Sequence, residues 1–122
     1  MALVNAARAE AGAGPLTLNP DLRKAAQVRA AECVTTFSHT RPNGTSYKTA
    51  IAEAGVIPPV GYLGENVATG HTTPQMVVER WLQSEGHKKN ILNPNYTQIG
   101  IGLEKNSGNG YKGYSWAQLF VG

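Results

Sequence analysis

The stretch Ile99-Gly100-Ile101-Gly102-Leu103 constrains this chain more than any other. Apolar residues at every second position have the period of a strand, and glycine between them signals close approach of another backbone. The segment therefore reads as a buried strand. Tyr114 to Val121 repeats the period, with Trp116, Gln118 and Phe120 alternating against Ser115, Ala117 and Leu119. Asn106 to Gly110, rich in turn residues, lies between the two and reads as a hairpin loop.

Upstream the pattern is helical. Asn19 is a good N-cap and Pro20 suits the first helical position, where its missing N–H costs nothing. The helix predicted from Pro20 to Thr36 places Leu22, Ala26, Cys33 and Phe37 on one stripe, with Arg23, Lys24, Gln27 and Glu32 opposite. Before it, Leu3, Ala7 and Ala11 share a helical spacing that Gly12-Ala13-Gly14-Pro15 terminates. After the turn at Pro42-Asn43-Gly44, Thr45 or Ser46 can cap a short helix through Ala54. That helix would bury Tyr47, Ala50, Ile51 and Ala54, and Gly55 closes it.

Val56 to Tyr62 reads as a loop and Glu65 to Thr69 as a strand. Thr73-Pro74 opens a helix to Ser84 with Val77, Val78, Trp81 and Leu82 inward. Gly86 is expected to interrupt it, and a further helical piece with Ile91 and Leu92 stops at Asn93-Pro94-Asn95. Helices followed by a terminal hairpin make an α+β domain, its helices covering a small, mostly antiparallel sheet.

Composition narrows the function. A chain of 122 residues, 41% hydrophobic and 16% charged, reads as one globular domain over 1–122. No apolar run approaches the ~20 residues of a membrane-spanning helix. The net charge is +3, but the longest basic run is Lys88-Lys89 and no helix carries a basic stripe, so no nucleic-acid partner is expected. The single cysteine, Cys33, excludes an intrachain disulfide and falls on an apolar stripe, as a buried thiol would. Met1-Ala2-Leu3 runs straight into a helical pattern without the basic segment and apolar core of a signal peptide. The expectation is a protein kept inside the cell or a trimmed domain with an added Met.

Four motifs occur in order: Phe37-Ser38-His39-Thr40-Arg41-Pro42-Asn43-Gly44, Gly64-Glu65-Asn66, the run from Trp81 to Leu92 with Ser84-Glu85-Gly86-His87 at its centre, and Tyr96-Thr97-Gln98-Ile99-Gly100-Ile101-Gly102. Together they resemble the CAP superfamily of cysteine-rich secretory proteins, venom antigens and pathogenesis-related proteins, and most closely its disulfide-free bacterial branch of SCP-like extracellular proteins. The resemblance implies a three-layer α-β-α sandwich with a small central antiparallel sheet, a secreted protein, and an open cleft. In eukaryotic members that cleft holds two histidines and two acidic residues able to bind a divalent cation such as zinc.

His39 and Glu65 match the first histidine and the first acidic residue of that set. Ser84 stands where the second acidic residue is found, and Asn95 where the second histidine is found. His87, from the bacterial Ser-x-Gly-His motif, fills the cleft from another backbone position. His39, Glu65 and His87 are thus the candidate metal ligands, with Ser84, Glu85 and Asn95 on the cleft rim.

Two neutral imidazoles and a carboxylate suit zinc with a fourth position open for water or substrate. Each residue also has a structural role available: His39 and His87 as caps, and Glu65 as a clamp on backbone N–H groups. His71 reads as an exposed loop histidine. Ser38 and Ser84 lie near histidines, but no nucleophile elbow accompanies them, and no catalytic residue is assigned. The leading expectation is a monomeric binding or interaction module with a cell-wall, lipid or host ligand. The alternatives are a metal-assisted hydrolase acting on a peptide or wall polymer, and a lipid or sterol carrier.

Overall fold

Asn19 and Thr73 start their helices as their side chains dictate. In the computed structural model, which describes residues 1–122, the Asn19 carboxamide oxygen accepts from the N–H groups of Asp21 and Leu22 at 2.9 and 3.1 Å. The Thr73 hydroxyl accepts from Met76 N–H at 3.2 Å, and a proline opens each helix. The chain runs α1 (Ala2–Glu10), β1 (Thr17–Leu18), α2 (Pro20–Thr35), α3 (Lys48–Glu53), β2 (Leu63–His71), α4 (Pro74–Gln83), α5 (Glu85–Leu92), β3 (Gln98–Lys105) and β4 (Tyr114–Val121).

The sheet has the order β1-β3-β4-β2. β3 and β4 form the antiparallel hairpin expected from their period, β4 pairs antiparallel with β2, and the two-residue β1 pairs parallel with β3. Helices cover both faces, giving an α-β-α sandwich. On one side Trp116 and Phe120 of β4 and Ile99 of β3 pack with Val4 of α1, Val77, Val78 and Trp81 of α4, and Ile91 of α5. On the other, Leu119 and Val121 pack with Leu22, Ala25 and Ala26 of α2 and with Ala50 and Ile51 of α3. β4 is therefore buried on both faces from Ser115 onward.

The glycines of β3 do what their spacing implied. A Cβ on Gly100 would lie 2.3 Å from the Leu22 carbonyl carbon, and one on Gly102 would lie 2.5 Å from that of Ala26. Bare glycine lets the backbone of α2 rest directly on β3, which a side chain would prevent.

Several expectations need correction. The buried positions of α1 are Val4 and Arg8, one residue on from the Leu3, Ala7 and Ala11 stripe; Leu3 is exposed. Arg8 is buried because its guanidinium donates to the carbonyls of Gly14, Ile91, Asn93 and Tyr96 at 2.7–3.0 Å. Two of these, Ile91 and Asn93, belong to the end of α5, where carbonyls lack helical partners and favour a cation.

Other differences lie nearer the site. α2 ends at Thr35, so Phe37 leaves the predicted stripe and is 53% exposed. Glu32, placed on the solvent face, instead turns into an ion-pair network. Tyr47 and Ala54 flank α3 as its caps and are only half-buried. The break between α4 and α5 falls at Ser84, whose backbone is extended (φ −98°, ψ 124°), and Gly86 lies inside α5. β2 is longer than predicted because Gly70, at φ +96°, absorbs an irregularity in register between Thr69 and His71 and lets the strand continue.

Candidate functional site

β2 is an outer strand of the sheet, and its alternation divides the site between two layers. Glu65 and Val67 face α2, where Val67 packs with Ala30 and Cys33. Asn66 and Ala68 face α4 and α5. An outer strand leaves backbone groups unpaired along its free side, and side chains take up two of them here. Asn90 of α5 donates to the Glu65 carbonyl at 3.1 Å, and the Trp81 indole of α4 donates to the Val67 carbonyl at 3.2 Å. Asn66 completes the tie, donating to the His87 carbonyl at 3.1 Å and to Gln118 at 3.2 Å.

On the α2 side the Glu65 carboxylate has no solvent exposure. Arg29, equally buried, holds it with both prongs of its guanidinium, Nε to Oε2 at 2.7 Å and Nη2 to Oε1 at 3.2 Å. His39 Nδ1 lies 2.8 Å from Oε1. The remaining donors of Arg29 reach Glu32 at 2.8 Å and the Ser38 carbonyl.

Glu32 in turn takes three contacts of 2.9–3.1 Å from Arg41, which also donates to Glu53 and Thr49. Charges alternate from Glu65 through Arg29, Glu32 and Arg41 to Glu53, joining α2, the loop after it, α3 and β2. Burial pulls the Arg29 guanidinium down, but the hydrogen bonds with Glu65 and Glu32 outweigh it and the net shift is upward. Burial likewise pushes Glu32 up, and Arg41 and Arg29 reverse it, leaving its carboxyl below the usual range. Tyr47, whose ring meets that of His39 edge-on at 6.2 Å, is pushed up to about 12, chiefly by burial and then by Tyr96 and Glu65. It stays a neutral phenol.

Along the free edge of β2 runs a hollow of about 310 Å³. Its floor is Val67 to Thr69; α4 contributes Arg80, Trp81 and Ser84, and α5 contributes His87. His71 closes the strand end, and Phe37 and Tyr111 (53% and 58% exposed) stand at the sides. Tyr111 belongs to the β3–β4 loop, which Asn109 anchors to the end of α2 through the Val34 carbonyl at 2.9 Å. Burial lowers the imidazole of His71, with Arg80 adding to it. Burial also lowers His87, helped by His39 and then Arg80. Both rings are therefore neutral near pH 7, and Arg80, which makes no ion pair, is the fixed charge of the hollow.

Of the three candidate ligands, His39 and Glu65 are in direct contact. His87 lines the adjoining hollow, and the proximity of His39 adds to the lowering of its imidazole. Ser84 lines that hollow too. Glu85 is exposed and borders a separate shallow depression with Gly86, Lys88, Lys89 and Leu92. Asn95 belongs to the turn before β3, its carbonyl against Gly122, and lines no part of the hollow.

His71, read as a loop histidine, ends β2 and lines the hollow; the signal for it was one more residue of strand beyond Gly70. Arg29 and Arg41 were not singled out. The i,i+3 pairing of Arg29 with Glu32 was the available clue, and Arg41 sits inside the Phe37–Gly44 motif.

A divalent cation fits this arrangement poorly. A zinc site needs at least three protein donors, and no three His, Cys, Asp or Glu side chains converge closely enough to hold a metal ion. Both Glu65 oxygens are already committed to a guanidinium. A dication there would have to displace Arg29 or sit against its charge.

The model of the cysteine-rich secretory protein (CAP) family matches residues 1–120. YkwD, an uncharacterized protein of Bacillus subtilis, is 37% identical over 98% of this chain and 44% of its own length. A Bacillus anthracis structure described as an extracellular protein containing an SCP domain superposes with a TM-score of 0.85 at 25% identity, covering 98% of this chain and 37% of that one. An outer surface protein of Borrelia burgdorferi shares the fold, with a TM-score of 0.83 at 23% identity over 98% of this chain and 86% of that one. The chain spans less than half the length of the curated relatives it matches.

Proposed function

The chain belongs to the cysteine-rich secretory protein (CAP) family, and from that premise we propose that it is an extracellular binding module whose recognition site is the hollow along β2. The observation that carries this reading is the lining. An unpaired guanidinium, two neutral imidazoles and two exposed aromatic rings surround a hollow of about 310 Å³. That size lies at the lower end of small-ligand sites.

Such a lining recognises a sugar that carries a carboxylate. Phe37 and Tyr111 offer flat apolar surface to a pyranose ring. Ser84, Thr69 and the imidazoles exchange hydrogen bonds with hydroxyls, and Arg80 pairs with the carboxylate. The ligand class is an acidic cell-wall glycan. The hydrolase alternative loses its support, because the carboxylate it needs for a metal is engaged by Arg29.

Calorimetric titration with a disaccharide of N-acetylglucosamine and N-acetylmuramic acid, set against the neutral N-acetylglucosamine dimer, tests the proposal. The acidic sugar binds, and Arg80→Gln weakens it by about tenfold or more, the value of a charged hydrogen bond. Tyr111→Ala weakens both sugars. Equal affinity for both in the wild type, or an Arg80→Gln protein that binds as well as wild type, would sink the reading.

A further inference from the structure

We propose that Arg29 is the built-in cation of this site: its guanidinium supplies the charge that a divalent metal would bring to the Glu65 carboxylate, and leaves His39, which bonds the same carboxylate, as a free hydrogen-bond acceptor. This inference stands apart from the sugar-binding reading, because it concerns the α2 side of β2 and none of the lining of the hollow.

The geometry carries it. A metal ion in such a cleft would neutralise the carboxylate and fix the loop that brings the histidine. Arg29 does both. It grips Glu65 with two nitrogens at 2.7 and 3.2 Å, and its Nη2 also bonds the carbonyl of Ser38, the residue before His39. Nη1 is held by Glu32 at 2.8 Å, so the guanidinium has a second anion and is not free to swing away. Arg29 and the Glu65 carboxylate are both without solvent exposure. A planar, permanently charged fork suits this position, and a lysine would supply the charge without the two-pronged grip.

The consequence falls on His39. With Glu65 fixed as an acceptor, the proton of the neutral imidazole belongs on Nδ1, which lies 2.8 Å from Oε1. Nε2 then keeps its lone pair, no protein group bonds it, and the side chain is 56% exposed. The group His39 presents to solvent is an acceptor for a ligand hydroxyl or N–H. A carboxylate that orients an imidazole in this way selects one tautomer.

Zinc titration of the full chain by calorimetry at pH 7.5, with nitrogen-15 spectra of the imidazoles, tests the proposal. The expected result is no saturable zinc binding, with His39 in the Nδ1–H form and unchanged by zinc or by chelator. Arg29→Met removes the cation and frees both Glu65 oxygens, so that weak zinc binding through Glu65 and His39 appears where the wild type shows none. Arg29→Lys keeps the charge and still excludes zinc while blurring the tautomer, which a purely structural role for Arg29 would not predict. Saturable one-to-one zinc binding by the wild type, lost in both His39→Ala and Glu65→Gln, overturns the proposal. So does a folded Arg29→Met protein that binds zinc no better than wild type. If Arg29→Met does not fold, the wild-type titration and spectra decide alone.

Discussion

Replacing Arg29 with methionine removes a charge from the interior and leaves its partner behind. The Glu65 carboxylate has no solvent exposure and receives two of its three side-chain contacts from Arg29. Breaking a buried ion pair from one side costs about 3–5 kcal/mol, because the surviving charge stays desolvated. The upper half of that range applies here, since the Ser38 carbonyl and Glu32 lose the same donor. Against a total stability of roughly 5–15 kcal/mol for a domain, the variant is left marginal.

In urea, with a slope of about 2 kcal/mol per molar, the midpoint falls by about 2 M. The double variant Arg29→Met with Glu65→Leu recovers at least half of the loss, because an apolar pair of similar volume is often as stable as the ion pair. The reasoning is refuted if Arg29→Met costs under about 1 kcal/mol, or if the two single-variant costs simply add in the double variant.

Three further outcomes follow from other parts of the molecule. Gly100→Ala forces a methyl group to within 2.3 Å of the Leu22 backbone and lowers stability by about 1–3 kcal/mol or more, read as a drop in melting temperature. Arg8→Met strands the buried carbonyls of Ile91 and Tyr96 and costs about 2–3 kcal/mol in urea unfolding, and Arg8→Lys recovers little because one ammonium cannot span four carbonyls. His71 and His87 are lowered from 6.5 in the folded state, so the unfolded chain binds more protons. Their contribution is fully present above pH 6.5 and is lost as pH falls through the folded values. Urea midpoints measured from pH 7.5 to 5 therefore decline, and His71→Asn with His87→Asn flattens that slope.

Local rules carried much of the fold into the sequence. Asn19-Pro20 and Thr73-Pro74 start helices through side-chain bonds that need no tertiary partner, and the glycines of β3 announce a backbone contact through their spacing. Phe37 and the α1 stripe went astray because a helix-period pattern gives neither where the helix ends nor which neighbouring row turns inward. Val4 beat Leu3 because the row of Val4 also brings Arg8 to the carbonyls at the end of α5.

The site divides the same way. His39 and Glu65 were legible as a pair through their motifs, and they touch. Arg29 was invisible, because hydropathy assigns an arginine to the surface and the carboxylate that keeps it inside lies 36 residues away. His71 was hidden by Gly70, which looked like the end of a strand and is an irregularity within one.

Backbone amide shifts recorded while the acidic disaccharide is titrated into the full chain test the recognition site most directly. The expected result is a set of saturating changes confined to Val67–His71, Arg80, Ser84, His87 and Tyr111, on both walls and the floor of one hollow. Changes centred instead on Lys88 and Lys89, or none at saturating sugar, would contradict it.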